Sequence, residues 1–270
     1  MLRKIRSSLR EIYVRRYYYL YRLFGTSVPQ HNLSFFPDGM TITKIGETGV
    51  TVIDGFCTRE EAQELITYAR ERVGPAAVLE DGEFVLSDGR QSETCHVFGP
   101  RAQNPRFVAF ASRAAALTGM PYTHLDGVFI TRYGPGGFYH EHHDFGDHFK
   151  DNRLYTILLY LNDMDESEGG TTAFPRLNVE VQPRVGRAVS WTNKNPDGSP
   201  HWETSHAALP VKEGAEKWTI QFWFNPYQRF KELDPVVPQM ATGQPIDQHH
   251  PLPDGANYFD PSSAAEVQHR

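Results

Sequence analysis

The sequence is poor in cysteine and lacks any long uninterrupted apolar run. Only Cys57 and Cys95 occur in 270 residues. Two distant cysteines form neither a disulfide framework nor a CxxC metal site, so we expect a reducing compartment. No stretch approaches the roughly 20 apolar residues that span a bilayer, and no uncharged apolar region follows the basic N-terminus as in a secretory signal. We therefore predict a cytoplasmic protein, with organellar targeting through that N-terminus left open.

Strong charge of one sign and internal repeats are also absent. The net charge is −6 and the apolar fraction is 39%, which is typical of a globular protein. Mild acidity argues against nucleic acid as a partner. A chain of this length can form one sizeable domain with extensions. We expect the substrate to be a peptide, a protein or a small molecule.

The composition divides the chain into three regions. We predict a domain at residues 41–228, preceded by a basic extension (1–40) and followed by a proline-rich one (229–270). Apolar and aromatic residues recur at helical spacing in residues 1–24, with arginines off that stripe. Such a helix can pack on the domain behind it, or it can contact a membrane surface or a partner.

Within the domain, helical patterns come first and strand patterns follow. A strand is predicted over Gly49–Phe56, and a helix begins at Thr58, which forms a capping box with Glu61. A second helix is predicted around Arg106–Leu117. After Leu125, eight short runs separated by Gly, Pro, Asn and Asp predict strands. These runs are GVFITRY, FYHEHHD, RLYTILLYLN, TTAF, VEVQ, RAVSW, HAALPV and KWTIQFWFN. The pattern predicts a mostly β (α+β) chain with a double-stranded β-helix, or jelly-roll, core and N-terminal flanking helices.

The run YGPGGFYHEHHDF, residues 133–145, has the greatest concentration of metal-ligating side chains. Because side chains alternate along a strand, His142 and Asp144 would project from one face. An imidazole and a carboxylate are two of the three ligands of a 2-His-1-carboxylate iron site. His206, near the start of a late strand, is our candidate for the third.

Other histidines compete for these roles. His140 would share the ligand face and form a second pair with His142. His143 also flanks the pair, and His201 competes with His206 for the third position. The residues alone leave these alternatives open.

Lys217 follows His206 by eleven residues, at the head of an apolar and aromatic run. Alternation divides this strand into two faces. Lys217 shares one with Thr219, Gln221 and Trp223, and the other holds Trp218, Ile220, Phe222 and Phe224. If the first face lines the interior, the buried ammonium needs an anionic partner. The far carboxylate of an iron-chelating dicarboxylate would provide it. The alternative is a surface lysine on an edge strand.

These motifs together resemble the catalytic domain of the prolyl 4-hydroxylase family of Fe(II)/2-oxoglutarate dioxygenases. The matching pieces, in order, are YGPGGFYHEHHDF, RLYTILLYLND, GGTTAFP, VQPRVGRAVSWTN, HAALPV and KW. The resemblance implies Fe(II) as cofactor and 2-oxoglutarate and O₂ as co-substrates, with ascorbate as a candidate further cofactor. It implies hydroxylation of a C–H bond, foremost that of a prolyl residue in a peptide or protein, with succinate and CO₂ as co-products.

The resemblance also assigns individual residues. It implies that the iron ligands are His142, Asp144 and His206, and that Lys217 anchors 2-oxoglutarate. The remaining matches concern the pocket wall. They are Tyr133 and Thr156, which match positions lining the 2-oxoglutarate pocket, and Trp191, which matches an aromatic residue near the mouth of the site and has core packing as its alternative.

The substrate and two other classes of function stay open at this point. A free amino acid or another small molecule could be the substrate, and the lack of a separate peptide-substrate domain argues against collagen. A zinc hydrolase could use the same ligands, but Glu141, the nearest candidate acid/base, would lie on the opposite face. A non-catalytic jelly-roll binding module is the third possibility. The loops Asn193–Ser205 and Asp81–Pro100 are predicted lids.

Overall fold

The computed structural model describes residues 39–80, 83–97, 105–118, 120, 124–145, 153–195 and 197–225. Residues 1–38, with their predicted amphipathic helix, and the proline-rich segment 229–270 lie outside these residues. In the part of the chain that is described, neither helix is long and apolar enough to cross a membrane.

Two helices flank the sheets on the N-terminal side, as the sequence predicts. Helix α1 spans Arg59–Arg70 and α2 spans Pro105–Thr118. The predicted capping box starts α1, because the Thr58 hydroxyl accepts the Glu61 N–H at 3.2 Å and the Glu61 carboxylate accepts the Thr58 N–H at 3.1 Å. Ala62, Leu65, Ile66 and Ala69 of α1 are buried and belong to the core that includes β15 of the larger sheet.

The described residues form strands along most of the domain. Their bounds are β1 Thr41–Lys44, β2 Val50–Asp54, β3 Gly74–Pro75, β4 Val78–Glu80, β5 Glu83–Val85, β6 Arg90–Gln91, β7 Glu93–Val97, β8 Leu125–Tyr133, β9 Phe138–His142, β10 Tyr155–Tyr160, β11 Thr172–Phe174, β12 Val179–Val181, β13 Ala188–Thr192, β14 His206–Ala208 and β15 Lys217–Phe224.

The strands make two facing sheets and one small hairpin. The major sheet has the order β1-β2-β13-β10-β15-β8-β7-β3, the minor sheet has the order β12-β11-β14-β9-β6, and β4 pairs with β5. All eight strands predicted after Leu125 are present, as β8 to β15. They divide equally between the two sheets, so the predicted jelly-roll core is confirmed.

The sequence pattern does not predict the short strands β1 and β3 to β7. Within the predicted lid Asp81–Pro100, Arg90–Gln91 and Glu93–Val97 are strands of the two sheets, and for the rest of the segment the lid stays a prediction. β6 pairs with β9 in the minor sheet, and β7 pairs with β8 in the major sheet. These strands are short and carry mixed polar residues, so no alternation marks them. The neighbouring strands that recruit them are distant in sequence.

Two apolar cores lie on opposite sides of the major sheet. On the helix side, Trp218, Ile220, Phe222 and Phe224 of β15 pack with residues of α1 and α2. The core between the two sheets is smaller. Its buried members are Val50, Leu158, Tyr160, Phe174, Val181, Val189 and Trp191. A third, smaller apolar cluster contains Tyr133, Met164, Val211 and Ala215.

Candidate metal centre

The three predicted ligands converge at one end of the minor sheet. His142 ends β9, His206 begins β14, and the two are register partners. One ligand atom from each of His142, Asp144 and His206 lies within 4.8 Å of the others. His206 Nε2 is 3.9 Å from Asp144 Oδ2, and the two imidazole centroids are 4.3 Å apart. Since β9 ends at His142, the chain reaches Asp144 through a turn rather than by strand alternation.

Each candidate ligand histidine is oriented by its own backbone. His142 Nδ1 lies 2.8 Å from the His140 carbonyl oxygen, and His206 Nδ1 lies 3.0 Å from that of Thr204. A carbonyl only accepts, so Nδ1 carries the proton in both rings. Nε2 then keeps a free lone pair on the side of Asp144, which is the tautomer that a metal site requires.

The Asp144 carboxylate is held by two donors from the major sheet. Thr156 Oγ1 donates to Oδ2 at 2.6 Å, and Trp223 Nε1 donates to the same oxygen at 3.0 Å. The Arg153 guanidinium lies 3.9 Å from the other oxygen, Oδ1. Oδ1 therefore keeps lone pairs for a metal, while Oδ2 fixes the orientation of the group.

A row of three cross-strand neighbours on the major sheet faces the triad. Thr156 of β10 pairs in register with Trp191 of β13 and with Trp223 of β15. The Trp191 ring lies 4.4 Å from the His206 ring, and the other two residues grip Asp144. The row positions two of the three candidate ligands from across the interior.

Two predicted pocket residues are buried beside the triad. Trp191 is 1% exposed and belongs to the core between the sheets, which fits the core-packing alternative. The hydroxyl of Thr156 donates to Asp144 and accepts a hydrogen bond from Asn193 Nδ2 at 2.9 Å. Its role toward 2-oxoglutarate stays a prediction.

Burial and the neighbouring groups set the protonation of the triad. Burial lowers the pKa of His142, and the adjacent His206 lowers it further. Burial also lowers the pKa of His206, against the opposing effect of Asp144. For Asp144, burial alone would raise the pKa, but His206, Arg153 and the hydrogen bond from Thr156 outweigh it, so the pKa is lowered. Two neutral imidazoles and a carboxylate are the form that binds a divalent metal.

The competing histidines lie outside the triad. His140 is exposed and its ring lies 4.6 Å from that of Phe138. His143 Nε2 contacts the His201 carbonyl oxygen at 2.9 Å, and His201 Nδ1 contacts the Thr192 hydroxyl at 3.0 Å. These contacts resolve the geometric ambiguity in favour of His142 and His206.

Lys217 is buried on the interior face of β15, as its alternation with Trp218 predicts. Its side chain is 1% exposed, and Nζ donates to the Gly170 carbonyl at 2.6 Å and to the Thr172 hydroxyl at 3.3 Å. Among the described residues, no carboxylate lies within ion-pair distance of Nζ. Burial therefore lowers the pKa of Lys217 to about 7. The ammonium has a third donor and the electrostatic need for an anion.

Aromatic rings and one glycine complete the lysine pocket. Nζ lies 5.3 Å from the ring centroid of Tyr133 and 5.5 Å from that of Tyr160, so the predicted Tyr133 does adjoin Lys217. Gly170 has φ +70°, and a Cβ there would lie 2.6 Å from Met164 Sδ. The positive φ favours glycine at residue 170, whose carbonyl Lys217 contacts.

Several residues at the site were missed by sequence reasoning. Arg90 lies over the Tyr139 ring, 4.7 Å from its centroid, and Tyr139 stacks on His142 at 3.6 Å. Trp223 and Arg153 both adjoin Asp144. Trp223 had a signal, because it shares the interior face of β15 with Lys217. Arg90 and Arg153 had none, because their contacts depend on how the sheets face each other.

The predicted lid Asn193–Ser205 is partly built into the site. Asn193 is fully buried and donates to Thr156, while Trp202 is 49% exposed. The Trp202 ring lies 5.2 Å from that of His143. Both ends of this segment therefore support the triad, because Thr204 and Ser205 are also buried, and the predicted lid role is left to the residues between them.

Comparisons with known proteins agree with this geometry. A family model described as the 2OG-Fe(II) oxygenase superfamily matches residues 128–225. The prolyl 4-hydroxylase subunit alpha-1 of Gallus gallus is 33% identical over 177 residues, which cover 62% of this chain and 33% of that protein. The probable prolyl 4-hydroxylase 3 of Arabidopsis thaliana is 27% identical over 198 residues, which cover 64% of this chain and 68% of that protein.

The fold also matches a solved structure. The viral collagen prolyl hydroxylase from Paramecium Bursaria Chlorella virus-1, solved as a 2OG complex, has a TM-score of 0.51 and 26% identity, covering 65% of this chain and 94% of that chain. The chain spans only part of the alpha-1 subunits that it matches, 33% of the Gallus gallus protein and 24% of the Homo sapiens protein. Residues 128–225 thus match the 2OG-Fe(II) oxygenase superfamily model, and in sequence, fold and triad the chain is similar to prolyl 4-hydroxylases.

Proposed function

We propose that this protein is a 2-oxoglutarate-dependent dioxygenase that hydroxylates a C–H bond of a prolyl residue in a peptide or protein. One observation carries the proposal. A buried lysine without a carboxylate partner among the described residues shares the jelly-roll interior with a His-Asp-His cluster. The cluster fits a metal and the lysine fits an organic anion. The 2OG-Fe(II) oxygenase superfamily is named for a metal and an organic anion of these kinds.

The donor set fits Fe(II). His142 and His206 would each present Nε2, and Asp144 would present Oδ1, because the other nitrogens and Oδ2 are already hydrogen-bonded. Bound Fe(II) with 2-oxoglutarate supplies the O₂ activation that C–H hydroxylation requires. A retained carboxylate at position 144 disfavours halogenation, in which halide takes the place of that ligand.

The protein's own contribution is to bind and orient. Lys217 Nζ would donate to the far carboxylate of 2-oxoglutarate, aided by the Thr172 hydroxyl that it already contacts. Burial disfavours the charged form of the lysine. A bound anion would stabilise that form, and this stabilisation would contribute to the binding free energy. Thr156 and Trp223 would hold Asp144 still through the reaction, and the neutral histidines would need no proton release on binding metal.

The family supports a prolyl substrate. The viral protein named a collagen prolyl hydroxylase is matched over 94% of its chain. This likeness keeps collagen-like peptides among the candidate substrates, although the sequence shows no separate peptide-substrate domain. Ascorbate stays a predicted further cofactor, to be tested by turnover with and without it.

The decisive experiment combines product mass with co-substrate turnover. The protein is incubated with Fe(II), 2-oxoglutarate, O₂ and a panel of proline-rich peptides, and succinate and peptide mass are measured. We expect succinate formation that rises with peptide and a mass gain of one oxygen atom on proline. His142→Ala is the control and should give neither. Succinate without any peptide gain would reject the prolyl substrate, and absence of O₂-dependent succinate would reject the oxygenase.

The zinc hydrolase alternative is not supported by the candidate acid/base group that the sequence offers, Glu141. Glu141 lies on the outer side of the minor sheet, where it contacts Ser205 and Arg176, and it does not reach the triad. A binding module without catalysis could use Lys217 to hold an anion, but it would have no chemical need for the His142, Asp144 and His206 cluster as well.

A further inference from the structure

We infer that a hydrogen bond between Glu141 and Ser205, on the outer surface of the minor sheet, sets the separation of the two metal-binding histidines. The inference rests on the proposed function in one respect, since it takes His142 and His206 as metal ligands. It assigns Glu141 and Ser205 a positioning role toward the two imidazoles.

The two histidines sit in matching three-residue units. In each unit, the first residue offers its carbonyl to the histidine Nδ1 and the third is the histidine. The units are His140-Glu141-His142 and Thr204-Ser205-His206. The middle residues are joined, because Ser205 Oγ donates to Glu141 Oε1 at 2.5 Å. The bond therefore connects two units that each fix one imidazole ring.

The backbone alone connects these units weakly. β14 has three residues, and its pairing with β9 shifts register between His206 and Ala208. A bulge disrupts the ladder locally, so the His142–His206 pair stands at the end of an irregular ladder. A side-chain hydrogen bond beside that pair therefore adds restraint where the backbone pairing is weakest, and it can fix the distance between the two ligands.

The surroundings favour a persistent bond. Ser205 is 5% exposed, and Arg176 Nε lies 3.3 Å from the same Glu141 oxygen. A hydrogen bond to an ionised acceptor is stronger than a neutral one, and a buried hydroxyl has little water to exchange with. Arg176 is itself 56% exposed, so it contributes orientation more than energy.

The test measures metal binding to the full-length apo protein with Co(II) as a spectroscopic probe. We expect Ser205→Ala to raise the Co(II) Kd about tenfold, within the range for residues that orient metal ligands, and to change the visible Co(II) spectrum. Ser205→Thr, which keeps the hydroxyl, and Glu141→Gln, which keeps an acceptor oxygen, should bind within about twofold of wild type. Glu141→Ala should match Ser205→Ala, and the double variant should be no weaker than either.

Ser199→Ala is the matched control. Ser199 lies in the same loop, and its hydroxyl also donates to a carboxylate, that of Asp197 at 2.6 Å, away from the ligands. It should leave Kd and spectrum unchanged. A Ser205→Ala variant that binds Co(II) within about twofold of wild type overturns the inference, as does one that loses thermal stability while Kd and spectrum stay unchanged. Should Ser205→Ala not fold, the surface variant Glu141→Ala decides. If wild type itself fails to bind metal, the proposed function fails instead.

Discussion

The two faces of β15 have opposite characters although they alternate along the same eight residues. One face packs Trp218, Ile220, Phe222 and Phe224 into the apolar core beneath the helices. The other buries Lys217, Thr219 and Gln221 and places Trp223 on Asp144. Both faces are removed from water, but only the first gains stability from it.

The difference shows where the molecule exchanges stability for function. Burying apolar area stabilises by about 25 cal/mol per Å², whereas a buried ammonium without an anion is unfavourable. Thr131, Gln221 and Thr219 form a hydrogen-bonded chain on the interior face, which keeps that face polar but satisfied. The helix-side face therefore holds the fold while the interior face stays ready for a charged ligand.

Replacing Lys217 should give the largest difference between an effect on activity and an effect on stability. Lys217→Met removes the ammonium but keeps an apolar stem of similar length. We expect kcat/KM for 2-oxoglutarate to fall about 1000-fold, because a buried carboxylate left unpaired costs about 3–5 kcal/mol. The melting temperature should not fall by more than about 3 °C, since the variant also loses the cost of burying a charge. A large loss of melting temperature with near-normal turnover would reverse the roles assigned to the faces.

The converse change acts on the helix-side face. Phe222→Ala leaves a cavity beside Phe56, whose ring lies 6.2 Å away. We expect the free energy of unfolding to fall by about 3–5 kcal/mol. Where the variant is folded, the KM for 2-oxoglutarate should stay near the wild-type value. Denaturant titration and steady-state kinetics measure the two effects, and a selective rise in KM would show that the faces are coupled.

Thr156→Val tests the support of Asp144 with a change of nearly constant volume. The variant removes one of two donors to Oδ2 and leaves Trp223. We expect the Fe(II) affinity to fall about 10-fold. Titration of the apo protein with metal gives the Kd, and Thr156→Ser, which keeps the hydroxyl, should restore it. Unchanged affinity in the valine variant would leave Trp223 as the sufficient anchor.

The smallest effect concerns pH. Burial lowers the pKa of Lys217 to about 7, and the charged form is the one that binds a carboxylate. The lysine loses its proton as pH rises through this value, so the KM for 2-oxoglutarate should rise about tenfold between pH 6 and pH 8. Lys217→Arg should flatten this dependence, because arginine does not titrate in this range. An equal slope in the arginine variant would assign the pH effect to another group.

The sequence predicted the site where local pattern and family resemblance agree. The eight-strand region and the buried face of Lys217 follow from spacing and alternation. His142 and Asp144 do meet, but a turn after β9 brings Asp144 there, not the alternation that the sequence predicts. The partners of these residues do not follow from spacing. Donation from Trp223 to Asp144 and the stacking of Arg90 on Tyr139 depend on the distance between sheets, which no local pattern encodes. The same holds for β6 and β7, whose residues pair only because β9 and β8 offer free edges.

That pair of strands has a mechanical consequence. β6 belongs to the minor sheet and β7 to the major sheet, with Ser92 as the one residue between them. The chain thus passes from one sheet to the other within one residue. The turn Gly134–Gly137 lies beside this crossing, where a Cβ on Gly137 would lie 3.1 Å from the Gln91 carbonyl oxygen. A one-residue connection allows the two sheets little change in separation. We expect the space between the sheets to keep a constant width along this edge, so that a bulky substrate enters, and its product leaves, at the opposite edge.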